Sequence, residues 1–248
     1  MRLLVVNANT SQFVTDRIAA EALQAAGPGS EIKAVTGEFG ARIIGTRAEN
    51  AIAAHAMVDL MARNAGGCDA ALIAVSYDTA LDASRQLLTI PVVGMTEAAL
   101  LTACMLGGKT GVVTLGSAGL PMYQELVAHY GLAGRVAGWG VIDRATAFSP
   151  GDTAELDRLL VAEAKRLVEQ AGAETVVLSG AVMAGVPRRL QAQVPVPLID
   201  GIACGVRQAE LLARMKLPKP TAGSYAAPKG REISNVSEAL RKAFGEGG

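Results

Sequence analysis

Short runs of apolar, often β-branched residues alternate along this chain with longer segments whose apolar residues recur every three or four positions. Runs of the first kind, such as residues 70–75, predict buried strands. Segments of the second kind predict helices, and over residues 50–65 the spacing places Ile52 and Met57 on the inner face. Because the two kinds alternate along most of the chain, the pattern predicts βαβ units and a parallel sheet.

Glycine, proline and small polar residues separate the elements that this pattern predicts. The strands are expected at residues 3–6, 31–35, 70–75, 91–94, 111–115, 135–140, 175–178 and 196–199. The helices are expected at residues 11–26, 50–65, 81–88, 97–106, 121–130, 153–170 and 202–215, with a short one after Pro187. Beyond Pro218 the chain is rich in Pro, Gly and Lys, and we expect a peripheral arm that ends in a weak helix.

The chain also repeats itself once, at an offset of about 105 residues. The segment CDAALIAVS, which begins at residue 68, is echoed by AETVVLSGA, and RLLVVNANTS at residue 2 is echoed by KTGVVTLGSA. The pair IPVVGMTEAAL and VPLIDGIACGV has a similar offset. These echoes predict two Rossmann-like α/β halves with parallel sheets, related by a pseudo-twofold axis. We expect residues 1–96 with 203–248 to form one lobe and residues 97–202 the other.

Composition restricts the class of protein. Of 248 residues 50% are apolar and 19% charged, which is enough to bury a sizeable core. Basic and acidic residues both number 23, and the aromatic content is 4%, so a nucleic-acid or anionic-membrane partner is not expected. No apolar stretch approaches the roughly 20 residues of a membrane-spanning helix, and no signal peptide is recognisable. The odd number of scattered cysteines argues against disulfides or a zinc cluster, so we expect a cytoplasmic protein without a bound metal.

Polar residues at the ends of the predicted strands are the candidates for chemistry, because common catalytic and cofactor motifs are absent. Parallel sheets bind ligands at the carboxyl ends of their strands, here in the cleft between the two halves. Small hydroxyl residues and free backbone N–H groups at such ends can hold a carbonyl or carboxylate. Helix capping is the alternative for several of them. The candidates are Asn7, Asn9, Thr10, Ser76, Tyr77, Asp78, Thr79, Thr114, Gly116, Ser117, Ser179, Gly180 and Ala181.

Several segments, taken in order, resemble the aspartate/glutamate/hydantoin racemase superfamily. The opening VVNANTS is similar to the Asn-Pro-Asn-Thr-Ser opening of the hydantoin and allantoin racemase branch. Further support lies in residues 68–70, 81–85, 91–94, 97–99, 103–107, 111–114 and 199–204. The similarity runs from residue 2 to about residue 215, and the order and spacing of the segments make it specific.

This resemblance implies a cofactor-independent enzyme that acts on a small molecule with a carbonyl or carboxylate group, commonly as a homo-oligomer. In that family one cysteine from each half faces the substrate, and the two thiols remove and deliver the proton next to a carbonyl. Decarboxylases of the superfamily keep only the second cysteine. In this chain the first position falls at Val75, or at Ser76 if the register slips by one, and the second falls at Gly180.

The loss of both thiols leaves three hypotheses. The first is a ring-opening hydrolase of a cyclic amide, ureide or related carboxylate. Ser76 would be its nucleophile or would orient water, with Asp78 as base and Tyr77 as hydrogen-bond donor. Backbone N–H groups around Ser117 and Gly180 would hold the oxyanion, and Ser179 joins these side chains as a catalytic candidate.

The second hypothesis is a racemase, isomerase or decarboxylase on the same class of substrate, in which non-cysteine groups such as Tyr77 or Asp78 move the proton. The third is an inactive homologue that binds a small molecule. A serine hydroxyl is a far weaker base than a thiol, whose pKa starts at about 8.5 and can be lowered by its surroundings. The ordinary two-thiol reaction is therefore not expected in this chain.

Overall fold

The computed structural model describes residues 1–143 and 153–245 of the chain. In these residues two parallel four-stranded sheets are formed, with strand orders β2-β1-β3-β4 and β6-β5-β7-β8. The second order is the first one repeated four strands later. The predicted α/β architecture of two similar halves is therefore confirmed.

The strands are β1 Arg2–Asn7, β2 Glu31–Thr36, β3 Ala70–Ile73, β4 Val92–Gly94, β5 Thr110–Leu115, β6 Val136–Ile142, β7 Thr175–Ser179 and β8 Leu198–Asp200. The α-helices are α1 Gln12–Ala25, α2 Arg47–Asn64, α3 Leu81–Leu87, α4 Met95–Leu106, α5 Leu120–His129, α6 Ala154–Ala171, α7 Val186–Leu190, α8 Gly201–Met215 and α9 Glu238–Ala243. Every predicted strand and helix has a counterpart, with ends displaced by a few residues.

The central strand β1 is buried on both faces because helices cover both sides of its sheet. Leu3 and Val5 belong to the cluster that includes helices α1 and α8, whereas Leu4 and Val6 pack with helix α2. Successive side chains of a strand point to opposite faces, so a continuous apolar run suits this position. Each such side chain, when fully buried, stabilises the fold by about 1.5–3 kcal/mol.

Helices α4 and α8 lie side by side between the two halves. Gln208 of α8 donates from Nε2 to the carbonyl oxygen of Ala98 at 2.9 Å and to the Thr102 hydroxyl at 3.0 Å. At the start of α8, a Cβ on Gly201 would lie 2.8 Å from the Met95 carbonyl oxygen, so this close approach requires glycine. The two helices begin at equivalent places in the repeat, and their contact joins the halves.

One inward position in helix α2 was predicted wrongly. Met57 is fully buried, but Ile52 is 50% exposed, since the buried face of this helix starts at Ala53 and does not include residue 52. Thr46 caps this helix through its side chain, and Glu49 completes a capping box with two reciprocal hydrogen bonds. The start of the helix is thus fixed next to the glycine-rich segment that precedes it, residues 37–45.

The segment after Pro218 packs on the first half of the molecule. Lys219 donates from Nζ to the carbonyl oxygens of Arg85, Gln86 and Leu88 at the end of helix α3, at 2.6–2.8 Å. Helix α9 contacts helix α2 and buries Leu240. In the described ranges, the helices are all too short or too polar to cross a membrane.

Candidate functional site

A cavity of about 190 Å³ lies between the two sheets, at the carboxyl ends of their central strands. Each half contributes the residues that follow two of its strands: β1 and β3 from the first, β5 and β7 from the second. The glycine-rich segment before helix α2 adds Ile43 and Ile44 to the wall. The walls are largely apolar, and Val14, Val75, Leu115 and Val182 complete them.

Three hydroxyl groups, those of Ser76, Tyr123 and Ser179, meet on one side of this cavity, and the hydroxyl of Thr114 lies next to them without lining it. The side chains of Ser76, Thr114 and Ser179 lie close enough to the Tyr123 hydroxyl to favour its ionised form, but burial outweighs them and raises the pKa of Tyr123. Ser179 Oγ and Thr114 Oγ1 are buried and have no hydrogen-bond partner among the residues that the structure describes. Buried polar atoms are normally paired, so these two hydroxyls indicate a place for a polar ligand atom or water.

Ser76 is held by two hydrogen bonds, one from a backbone N–H and one from a side-chain hydroxyl. Its Oγ accepts a hydrogen bond from the backbone N–H of Ala181 at 3.1 Å. Its carbonyl oxygen accepts from the Thr96 hydroxyl at 2.6 Å. With one lone pair of Oγ engaged by the Ala181 N–H, the Ser76 hydroxyl is left to donate its proton. No carboxylate or imidazole of the described chain contacts Ser76, so nothing there activates it as a nucleophile.

The two positions at which the resemblance implies thiols both line the cavity, as Val75 and Gly180. Val75 is buried in the wall, and Gly180 has a φ of 156°, a conformation that L side chains rarely adopt. A Cβ on Gly180 would lie 3.0 Å from Cε of Met183. The chain's three cysteines, Cys68, Cys104 and Cys204, do not line the cavity, which therefore contains no thiol.

The lining also lacks a charged group, as far as residues 1–143 and 153–245 are concerned. In the same ranges no group of three or more His, Cys, Asp or Glu side chains is placed to hold a metal ion. What the cavity offers to a ligand is a set of neutral donors and acceptors inside apolar walls.

Of the three polar candidates at the end of strand β1 and just after it, only Asn9 lines the cavity. Asn7 is fully buried and donates from Nδ2 to Asn9 Oδ1 at 2.8 Å and to the Thr15 hydroxyl at 3.0 Å. Asn9 Oδ1 also accepts from the Ser11 backbone N–H at 2.9 Å. Thr10 donates its backbone N–H to Ala41, which anchors the glycine-rich segment. Asn7 and Thr10 thus hold the residues around the cavity in place without lining it themselves.

Tyr77 forms one end of the cavity. It is 8% exposed, its ring lies 4.6 Å from the Tyr123 ring, and burial raises its pKa. Its hydroxyl occupies the space where a side chain at position 119 would lie, so Gly119 is required there.

Asp78 is not brought into the cavity. Its Oδ1 accepts the Thr96 backbone N–H at 3.0 Å, and its Oδ2 accepts the Glu97 N–H at 2.8 Å and the Tyr130 hydroxyl at 2.7 Å. Burial raises the pKa of Asp78 to about 7, although these hydrogen bonds oppose the shift. The carboxylate therefore caps helix α4 and joins the two halves, which places it badly for the role of base. Thr79 is also outside, because its hydroxyl donates to Asn50 Oδ1 at 2.6 Å.

The candidates near the ends of β5 and β7 also fall into two groups, those that line the cavity and those that do not. Gly116, with a φ of 84°, lines the cavity together with Gly180 and Ala181. Ser117 does not line it, and its backbone N–H donates to Asp143 Oδ1 at 2.6 Å. That N–H is thus occupied, which disagrees with the oxyanion role expected for it. Sequence reasoning missed Tyr123, which lies one turn into helix α5 and lines the cavity although it does not follow a strand.

Comparisons with known proteins agree with the fold. Residues 3–209 match the family model described as Asp/Glu/Hydantoin racemase. A hydantoin racemase from Paenarthrobacter aurescens is 32% identical over 231 residues, which cover 92% of this chain and 98% of that protein. The structure of an allantoin racemase from Klebsiella pneumoniae is similar with a TM-score of 0.92 and 30% identity, over 97% of this chain and 99% of that one. A second allantoin racemase, from Pseudomonas fluorescens, has a TM-score of 0.90 and 31% identity, over 95% and 100% of the two chains.

Proposed function

Because this chain belongs to the Asp/Glu/hydantoin racemase family of enzymes, we propose that it interconverts the stereoisomers of a small neutral cyclic amide or ureide. The proton exchanged is the one on the carbon next to a ring carbonyl. The observation that carries this proposal is the meeting of the Ser76, Ser179 and Tyr123 hydroxyls in a cavity with apolar walls and without a charged group. The relatives whose names agree with it are the hydantoin and allantoin racemases.

The hydroxyls act as donors to the carbonyl oxygen. The raised pKa of Tyr123 keeps its hydroxyl protonated at neutral pH. Ser76 already accepts from Ala181, and Ser179 has no other partner among the described residues, so both can donate. When the carbon loses its proton, negative charge develops on the carbonyl oxygen, and donors fixed in advance around that oxygen stabilise it.

The neutral lining selects against substrates that carry a carboxylate. Burying an unpaired carboxylate costs far more than burying a neutral amide, and the described lining holds no Arg or Lys to pair with it. Asn9 complements a neutral ring, since its Oδ1 is held by Asn7 and Ser11 and its Nδ2 remains to donate. Pockets for drug-sized ligands are about 300–1,000 Å³, so a cavity of about 190 Å³ suits a single small ring.

Water is the proton carrier in this proposal. A hydroxide ion from the solvent takes the proton from the carbon and becomes water, the electron pair moves onto the carbonyl oxygen, and the enolate oxygen is held by the hydroxyls. Water then returns a proton to either face of the carbon, which restores the hydroxide ion. Gly180 leaves room for water at its position in the cavity wall. Val75, which occupies the matching position in the other copy of the repeat, places an inert side chain there. Without thiols the reaction needs a substrate whose carbon is already acidic, as in rings activated by two neighbouring amide groups.

Ring opening through Ser76 has less support. A serine nucleophile needs a base within hydrogen-bond reach, and among the described residues Ser76 has no such neighbour. Binding without turnover is the second candidate, and the thiol-free, uncharged lining is the observation that favours it.

Incubation of the purified protein with single enantiomers of 5-substituted hydantoins in deuterated water tests the proposal. We expect loss of optical activity together with one solvent deuterium per racemised molecule, followed by polarimetry and proton NMR. Replacing Tyr123 by Phe removes one donor and should lower the rate about 100–1,000-fold, the range seen for single oxyanion donors, with little change in fold.

Ring-opened acid in place of the deuterated ring would overturn the proposal in favour of hydrolysis. A ligand-induced rise in melting temperature without any exchange above the buffer rate would identify the protein as a binder. Exchange that is unchanged in the Tyr123→Phe variant would contradict the role given to the hydroxyls.

A further inference from the structure

We propose that Tyr77 determines how long a ring substituent the site accepts. The inference rests on the proposed function, because it concerns the substrate of the same cavity. It goes beyond that function by assigning a residue that sets substrate size.

Tyr77 separates two spaces. On one side it lines the cavity with the hydroxyl cluster, and on the other it lines an open groove of about 420 Å³. The groove runs between helices α2 and α5, one from each half. Within residues 1–143 and 153–245, Tyr77 is the one residue that lines both spaces, so its side chain is the partition between them.

Packing on two sides holds the partition in place. The ring of Tyr77 is tilted by 42° against the Tyr123 ring at 4.6 Å between centroids, a distance that is typical of a favourable aromatic pair. Its hydroxyl enters the space left by the absent side chain of Gly119, and the Gly45 carbonyl oxygen lies 3.8 Å from the place that a Cβ of residue 119 would take. The side chain therefore spans the seam between the glycine-rich segment of the first half and the start of helix α5.

The groove differs chemically from the cavity. Arg47 and Glu125 form a bidentate salt bridge across the groove, with N–O distances of 2.7 and 2.6 Å. Its wall also contains the polar side chains of Asn50, Thr79 and His129. With Tyr77 present, a substituent on the bound ring meets an apolar wall and must be short. Without the Tyr77 side chain the cavity would open into this polar groove, and a longer substituent could extend there.

Binding of a graded set of ligands tests the inference. The probes are hydantoins that carry a methyl, isopropyl, benzyl or indolylmethyl group at position 5, and affinities are measured by calorimetry. We expect the unaltered protein to bind the methyl or isopropyl compound at least tenfold more tightly than the indolylmethyl compound. Tyr77→Ala should reduce or reverse this ratio by at least tenfold. Tyr77→Phe is the matched control, because it keeps the ring and should keep the original order.

The result that overturns the inference is an unchanged order of affinities in Tyr77→Ala. Tyr77→Leu is measured in parallel, because loss of a large buried side chain costs about 3–5 kcal/mol and the alanine variant can fail to fold; an unchanged order in a folded leucine variant overturns the inference equally. If no hydantoin binds to the unaltered protein or to Tyr77→Phe, the proposed function itself fails and the inference fails with it. Binding with an unchanged order leaves the proposed function standing and refutes only the role of Tyr77.

Discussion

Ser76 Oγ accepts the backbone N–H of Ala181 at 3.1 Å, and the two residues are 105 positions apart. This separation matches the offset between the two copies of the repeat, so equivalent residues of the two halves touch each other. Their neighbours Val75 and Gly180 are related by the same offset and face the same cavity. The pseudo-twofold axis thus passes close to the candidate site, and the contact ties the two halves together there.

Ser76→Ala should lower both the stability of the protein and its affinity for ligand. The variant leaves the Ala181 N–H without its acceptor, and an unsatisfied buried donor costs about 1–3 kcal/mol. Urea denaturation and calorimetry with a 5-substituted hydantoin measure the two effects. Ser179→Ala is the matched control: its hydroxyl has no partner among the described residues, so affinity should fall while the free energy of unfolding stays within about 0.5 kcal/mol. Equal losses of stability in both variants would contradict the assignment.

Gly119→Ala should destabilise the protein because the new methyl group overlaps the Tyr77 hydroxyl. Overpacking of this kind costs about 1–3 kcal/mol. In the double variant with Tyr77→Phe the nearest ring atom lies 3.4 Å from the new Cβ, an ordinary contact. Gly119 has a φ of −85°, so backbone strain does not oppose the alanine.

Chemical denaturation of the wild type, both single variants and the double variant measures the coupling between the two positions. We expect the double variant to recover most of the stability lost in Gly119→Ala, with a coupling energy of about 1–2 kcal/mol. Simple addition of the two single effects would show that the Tyr77 hydroxyl does not occupy the space beside Gly119.

Much of the architecture was accessible from the sequence, and the reason lies in particular residues. The all-apolar run from Leu3 to Val6 suits a strand buried on both faces, and the repeat located the cavity between strand ends. The directions in which side chains point were harder to predict from the sequence than the architecture. Asp78 and Ser76 follow the same strand, but the positive φ of 45° at Asp78 turns the chain so that its carboxylate meets helix α4. Tyr123 reaches the cavity from a neighbouring helix, which no pattern of strand ends reveals.

Asp78 should make the protein less stable as the pH rises from about 4 to 7. Its pKa is raised by burial to about 7 in the folded state, from its ordinary value of 3.8. Below about pH 4 the group is protonated in both states, and its full contribution to stability is present. Between the two pKa values only the unfolded chain releases the proton, so the free energy of unfolding falls, and above about pH 7 it levels off.

Asp78→Asn removes this titration and keeps the size of the side chain. At 1.36 kcal/mol per pKa unit, the difference in stability between the variant and the wild type should change by about 3–4 kcal/mol over this pH range. Urea denaturation at pH 4, 5.5, 7 and 8.5 measures it. The same pH dependence in both proteins would mean that Asp78 keeps an ordinary pKa in its contacts with Thr96, Glu97 and Tyr130.

Val75→Cys should accelerate proton exchange if the cavity retains a carbonyl-binding site that has lost its bases. Val75 is buried in the cavity wall and valine and cysteine are similar in volume, so the substitution adds a thiol with little repacking. A positioned base contributes about 100–10,000-fold, and we expect deuterium exchange of a 5-substituted hydantoin to rise by at least the lower figure. The rate should increase with pH as the thiol, with an ordinary pKa of about 8.5, loses its proton. Gly180 is the poorer position for this test because its φ of 156° disfavours any side chain.

Val75→Ser is the control, because it introduces a polar atom at the same place without a useful base. If Val75→Cys and Val75→Ser exchange protons at the same rate while both bind the ligand, the reacting carbon does not lie beside position 75. The hydroxyl cluster would then hold the ring in a different orientation from the one proposed. Acceleration in the cysteine variant alone would place the carbon between Val75 and Gly180, because the repeat sets these two positions on matching strand ends.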